Sequence, residues 1–241
     1  QRPRQPLNLE ESDWLHLNGM DYDPESGTII LSGRDQSAVA GIGREDGTQK
    51  WIIGSHEHWE QRFSPYLLTP RGRPFEWAWG QHAPMFHPED SKRVLIYDNG
   101  NKRSYDAPLE PEDNYSRAVE YEIDTEKKEI RQIWEYGRRY GSERYTPFIG
   151  DADYLPGGNR LICFGGITRN LQGGPMEIFD FENGSINRMK ISAVIAEVTG
   201  DLPAREVMTI LLEDSDSSRY RGYRSYRAVK MPLYPEGPNQ L

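Results

Sequence analysis

The strongest constraint on this chain is a four-strand pattern that its sequence repeats. Short β-branched or aromatic runs alternate with turns built from Gly, Asp, Asn and Pro, as expected of antiparallel strands on short connections. In the first copy the turn Asp23-Pro24-Glu25-Ser26-Gly27 leads into 28–32, then 38–42, the turn Glu45-Asp46-Gly47 and 49–53. The second copy runs 83–87, Pro88-Glu89-Asp90, 94–97, then 116–123, Asp124-Thr125-Glu126 and 130–136. The third runs 152–155, Pro156-Gly157-Gly158-Asn159 and 160–164, then 175–181, Glu182-Asn183-Gly184 and 186–191, and a degraded fourth is expected over 206–213 and 223–231. Helical spacing is confined to 9–15 and 192–199. Two copies close on Trp51-Ile52-Ile53-Gly54 and Trp134-Glu135-Tyr136-Gly137.

Four antiparallel strands per unit, stacked in series, describe β-propeller blades, so the expected class is all-β. A β-sandwich also uses short strands at similar spacing, but it does not require the internal repeat. The first unit begins near Leu15 and the second near Gln81, so 241 residues hold about 3.6 units, fewer than the usual four to eight of a closed ring. The spacing therefore predicts an arc of about 3–4 blades, with a polar linker over 1–12 and the propeller segment over 13–241.

Composition narrows the partners. Twenty-nine Lys and Arg against 38 Asp and Glu leave a net charge of −9, a poor match for a phosphate backbone, so no nucleic acid is expected. An aromatic content of 11% argues against disorder. Cys163 is the single cysteine, which excludes an intrachain disulfide and leaves the redox compartment open. No run approaches the roughly 20 apolar residues of a membrane helix.

Among five histidines, His16 and His82 fall at the same place in successive units, the start of a first strand. In a propeller that strand lines the central channel, so both rings can converge on one axial pocket; a histidine that caps its own strand end is the plainer alternative. Arg34 ends the strand over 28–33, eighteen residues after His16, and a hairpin returns the end of its second strand to the start of its first. Its planar fork of donors suits an oxyanion, and a salt bridge to Asp35 is the ordinary alternative. Asn18 shares a strand face with His16. His56-x-His58 has the i, i+2 spacing of a metal pair, but it lies in Gly54-Ser55-His56-Glu57-His58-Trp59, which reads as loop, and no third ligand stands at a zinc spacing. No metal site is expected. Neither a nucleophile elbow, a P-loop nor a dinucleotide glycine pattern occurs, so no organic cofactor is expected either.

Asp13-Trp14-Leu15-His16-Leu17-Asn18, Ile29-Ile30-Leu31-Ser32-Gly33-Arg34-Asp35-Gln36, Gln81-His82 and Tyr97-Asp98-Asn99-Gly100 together resemble the bacterial arylsulfate sulfotransferases. Tyr115-Ser116-Arg117-Ala118-Val119-Glu120-Tyr121 and the two Trp-x-x-Gly closures extend the resemblance over about 13–167. It implies a six-bladed propeller that moves a sulfuryl group from an aryl sulfate to a phenol by a ping-pong route, without a nucleotide donor. His82 then matches the histidine that is transiently sulfated, and His16, Asn18 and Arg34 match the residues that hold the sulfate oxygens. Trp77 and Trp79 stand just before His82, where they would either stack on the aryl ring or pack between blades. The resemblance also implies a periplasmic or secreted location and further blades from another chain or a missing segment. A non-catalytic propeller segment that serves as a binding or assembly module is the alternative, and it does not need His16, Arg34 and His82 around one pocket.

Overall fold

Residues 93–98 read Arg-Val-Leu-Ile-Tyr-Asp, an apolar run with no polar alternation, and such a run suits a strand covered on both faces. A computed structural model of the protein, which describes residues 15–177, 189–216 and 222–232, places that run at the centre of three sheets. The first sheet is a meander of β1 (Leu17–Asp23), β2 (Thr28–Gly33), β3 (Ala38–Gly43) and β4 (Gln49–Ile53). The second contains β5 (Thr69–Pro70), β6 (His82–His87), β7 (Asp90–Asp98), β8 (Arg117–Asp124) and β9 (Glu129–Tyr136), in the order β5-β9-β8-β7-β6. The third is β10 (Asp151–Tyr154), β11 (Arg160–Arg169), β12 (Lys190–Val198) and β13 (Glu206–Leu212), again in chain order. All neighbouring strands are antiparallel except β5, which joins β9 in parallel. Among the described residues no helix is long and apolar enough to cross a membrane.

Strand periodicity explains the stacking. Successive side chains of a strand point to opposite faces. Val94 and Ile96 of β7 pack with Ile30, Val39, Trp51 and Ile53 of the first sheet. Leu95 and Tyr97 face the other way, into a core with Ile162, Phe164, Val194 and Ala196 of the third. The middle sheet is therefore covered on both sides. The first strands meet at the seams: Asp21 accepts the Phe86 backbone N–H at 2.8 Å, and a Cβ on Gly19 would lie 2.5 Å from Pro84. Apolar side chains on the outer faces stay open to solvent, with Met20 69% exposed on β1 and Val207 58% and Leu211 53% on β13.

The first two units and the first hairpin of the third, β10 and β11, fall where the sequence pattern puts them; the second half of the third differs. Of the helical spacing over 192–199, residues 192–198 belong to β12 instead, because pairing on both edges and burial of Ala193, Ala196 and Val198 give a strand apolar on both faces, which carries no period-2 signal. Residues 206–212 are that sheet's fourth strand and not a fourth copy. No strand forms over 223–231; Gly222 alone bridges Ile191. Of the strands expected over 175–181 and 186–191, residues 178–188 lie outside the described residues, Pro175 bridges Arg169, and Ile191 belongs to β12. The linker over 1–12 and most of the helical spacing at 9–15 also lie outside the described residues.

The core tolerates little at Gly41 of β3, whose added Cβ would fall within the Trp51 ring. Gly41→Ala should displace that indole and lower unfolding free energy by about 1–3 kcal/mol. A urea titration of the full chain, with an unchanged slope and an earlier midpoint, is the expected record.

Candidate functional site

His82 opens β6, where its sheet meets the first, and it is buried to 3% exposure. Its Nδ1 lies 2.7 Å from Asn99 Oδ1. The orientation of that amide is settled by its other end, since Asn99 Nδ2 donates to the Thr146 carbonyl at 2.8 Å and the Ile149 carbonyl at 2.7 Å. An oxygen must therefore face the imidazole, so Nδ1 carries the hydrogen and Nε2 keeps its lone pair. Burial is the main force on this ring and pushes its pKa down to about 4; Arg34 and His16 act in the same direction through their charge, against the Asn99 hydrogen bond and the Gly80 backbone. At neutral pH His82 is a neutral imidazole with Nε2 unprotonated.

The first sheet supplies the neighbours. The Arg34 N–H donates to the His16 carbonyl at 3.2 Å, so the return of β2 to the start of β1 places the two side by side, as the hairpin geometry requires. Arg34 is 8% exposed, donates from one terminal nitrogen to Asp35 at 2.9 Å and from the other to the Pro147 carbonyl at 3.4 Å. It therefore makes the expected Asp35 pair and also reaches the loop that carries Thr146 and Ile149. Asn18 Nδ2 donates to the Gln81 carbonyl at 2.8 Å, next to His82, and its Oδ1 is buried without a protein partner. Gln81 anchors the seam, as its amide nitrogen reaches Ser32, Gly33 and Ala38 at 2.9–3.2 Å. His16 is exposed, so it borders the site from the solvent side.

Three non-glycine residues with left-handed φ frame this place: His16 at 48°, Ala83 at 46° and Ile149 at 51°. Each lies at the entry to the first strand of its own sheet. For alanine and a β-branched side chain this region costs about 1–3 kcal/mol, and such strain gathers at functional sites.

Other expected positions separate from this one. His56 Nε2 contacts the Leu68 carbonyl at 2.8 Å, while His58 groups with Glu57 and Asp106 at the surface, so the two histidines share no ligand geometry. All three members of that trio are exposed, a common arrangement without an ion. Trp77 packs on Phe75 and His56, and Trp79 on Tyr105, which assigns both indoles to packing. Two residues near His82 went unassigned in the sequence. Asn99 ends β7 as Arg34 ends β2, seventeen residues after His82, so the hairpin rule applied one unit later finds it. Tyr226 reaches His82 from the far end of the chain with its ring centroid 6.2 Å away, and no local signal announces it.

One seam thus brings together a buried neutral histidine with Nε2 unprotonated, an arginine and a second histidine. The sequence model of the Arylsulfotransferase (ASST) family matches residues 2–221, and the chain belongs to that family. It is 36% identical over 171 residues to the arylsulfate sulfotransferase AssT of Escherichia coli O6:H1 (strain CFT073), and 30% identical over 172 residues to AssT of Lelliottia amnigena. Those matches cover 64% and 65% of this chain but 28% of each relative, so the chain spans less than a third of the length of the curated relatives it matches. The crystal structure of Saccharomyces cerevisiae Sqt1 covers 82% of this chain, and 63% of its own, at 7% identity and a TM-score of 0.28, too loose a likeness to carry an argument.

The depressed pKa of His82 makes a stability prediction. The unfolded ring takes its proton near pH 6.5 and the folded one near 4, so the unfolded state binds more protons between these values and stability rises with pH across them. The contribution is complete above pH 6.5 and is lost as pH falls through about 4. His82→Asn has no such ring to protonate, so between pH 6.5 and 4 its stability should fall less than that of wild type by on the order of 3 kcal/mol, with little difference at neutral pH. Paired denaturant titrations from pH 4 to 7 give the difference directly.

Proposed function

We propose that this chain carries the catalytic centre of an aryl sulfotransferase, in which His82 Nε2 takes a sulfuryl group from an aryl sulfate and passes it to a phenol. The observation that carries this reading is the neutral, buried His82 whose Nδ1–H is committed to Asn99, leaving Nε2 with its lone pair. A neutral imidazole is a competent nucleophile, and a protonated one is not. In the first half-reaction the Nε2 lone pair attacks sulfur, the S–O bond to the aryl group breaks, and the departing phenolate oxygen takes a proton from His16. The second half-reaction is the reverse: an acceptor phenol gives its proton to His16, its oxygen attacks sulfur, and the S–N bond breaks with its electron pair returning to Nε2. Arg34 donates to the sulfuryl oxygens, and Asn18 uses the second hydrogen of its amide nitrogen for the same purpose. Fixed donors of this kind stabilise charge as it redistributes.

The three sheets are read as consecutive blades of a propeller arc over 13–241, each a four-stranded antiparallel meander to which the second adds the parallel β5, with the family's six blades as the complete ring. The first-strand contacts of β1 with β6 and of β6 with β10 support that arrangement. The solvent-exposed apolar faces of β1 and β13 are where further blades, from a longer chain or a second one, would pack. A periplasmic or secreted setting follows from the family resemblance alone.

Intact mass after incubation with 4-nitrophenyl sulfate should show one added sulfuryl group, and His82→Asn should acquire none while keeping its thermal transition. A His82→Asn protein that still transfers sulfate excludes the sulfohistidine route, and a correctly assembled wild type that neither labels nor turns over favours the binding-module reading. Arg34→Lys keeps the charge but loses the bidentate fork, so turnover should fall by roughly 100-fold, the scale of one lost oxyanion donor. Near-normal turnover in that variant would leave Arg34 as the structural partner of Asp35.

A further inference from the structure

Residues 222–228 return across the third sheet as a strap that the fold has made room for. Gly222 bridges Ile191 in parallel, and the Ser225 N–H donates to the Gly165 carbonyl at 3.0 Å. The Cys163 thiol approaches the Ser225 carbonyl at 3.6 Å, and the Ser225 hydroxyl donates to the Arg227 carbonyl at 2.7 Å. Beyond it, Asp151, raised to about 6 by burial and by Asp153, accepts a backbone hydrogen bond from Ala228 and faces Arg227. The register of β11 against β12 breaks between Phe164 and Ile167, which is where the strap docks. A Cβ on Gly165 would collide with the Ser225 carbonyl oxygen, and one on Gly222 with the Ile191 carbonyl oxygen. Both glycines are thus needed for the strap to lie where it does.

What the strap delivers is Tyr226. Its ring stands 6.2 Å from the His82 ring at 72°, an edge-to-face contact, and it is 49% exposed. One side of the phenol ring meets the buried imidazole, and the rest is open to whatever approaches it. The indoles of Trp77 and Trp79 are occupied in packing, so they do not supply an aromatic surface here. In the sulfuryl-transfer reading Arg34 and Asn18 are committed to the oxygens around sulfur.

We propose that Tyr226 is the wall against which the aryl ring of donor and acceptor packs, a positioning residue that makes this centre selective for aromatic sulfates. The proposal rests on the sulfuryl-transfer reading of His82. A half-exposed ring beside the nucleophile offers an offset or edge contact to a second ring while the sulfur faces Nε2. The strap, not the sheet, sets its position, so selectivity and nucleophilicity reside in separate elements.

The test uses the full chain with 4-nitrophenyl sulfate as donor, and 2-naphthol binding read by fluorescence as a measurement that needs no turnover. Tyr226→Ala should raise KM and weaken 2-naphthol binding, each about tenfold, with kcat and the thermal transition little changed, while Tyr226→Phe stays within about twofold of wild type. Gly165→Ala, which forces the strap off its seat, should reproduce the Tyr226→Ala defect, and the double variant should add nothing further. Unchanged KM and binding in Tyr226→Ala overturn the proposal, as does an equal loss in Tyr226→Phe, which would assign the effect to the hydroxyl. If wild type transfers no sulfuryl group yet binds 2-naphthol in a Tyr226-dependent way, the transfer reading falls and the aromatic wall stands. If wild type transfers the group but binds 2-naphthol no better than Tyr226→Ala does, the wall falls and the transfer reading stands.

Discussion

Burial of the middle sheet on both faces is the constraint from which the remaining geometry follows. A strand reading Val94-Leu95-Ile96-Tyr97 exposes apolar surface whichever way it turns, and only a layer on each side removes that surface from water. Once the first and third sheets are pressed against it, their first strands are brought next to β6. The site is a consequence of that contact. His82 stands on β6, Arg34 and Asn18 come from the sheet before, and Thr146 and Ile149 from the loop that enters the sheet after. No single sheet holds the whole arrangement, so the apolar stacking that stabilises the molecule also assembles its chemistry.

The end of the middle sheet beside the seam is held by buried charges as well as by apolar contacts. Asp98, fully buried, takes the Arg117 Nε at 2.9 Å, Arg103 at 3.0 Å and the Trp79 backbone N–H at 2.9 Å. Arg117 is itself fully buried and also pairs with Glu135. Buried charges persist only when paired and hydrogen-bonded in good geometry, and removal of one partner costs far more than the pair contributes. Asp98 immediately precedes Asn99. Clamping its carboxylate from three sides fixes the end of β7, and with it the direction in which the Asn99 amide faces the imidazole. Glu120, also fully buried, plays a comparable part midway along β8, opposite Leu95, held by Arg93 at 2.6 Å and by Arg160 of the third sheet at 2.5 Å.

How much of this was legible in the sequence depends on the range of the signal. Strands β2 to β4 and β6 to β9 could be read because a turn and an apolar run recur within a few residues. The same repeat places His16 and His82 in register and, through hairpin return, Arg34 beside His16. Asn99 obeys that rule too and was available to it. Strand β12 was not legible, because Ala193, Val194 and Ala196 are apolar on both faces and spaced like a helix; its pairing with β11 and β13, which local pattern does not encode, decides the matter. Tyr226 is the extreme case. The strap that carries it meets β11 through Cys163 and Ser225, 62 residues apart, at a site marked only by two glycines that look like ordinary loop.

The two properties that His82 would need for the proposed transfer come from one environment. An imidazole attacks only when neutral, and a sulfuryl group is held only where positive charge is near. In water these demands are independent, but at a buried seam they reinforce each other. The Arg34 guanidinium that suits sulfate oxygens also disfavours the imidazolium, in the same direction as burial and His16. Asn99 is a neutral orienting group, and a carboxylate in its place would draw the proton onto the ring and oppose Arg34. An amide fixes the tautomer through geometry without stabilising the charged form as an acid would. Burial does most to keep the ring unprotonated, and in the proposed transfer the Arg34 charge that would hold the sulfuryl oxygens works in the same direction.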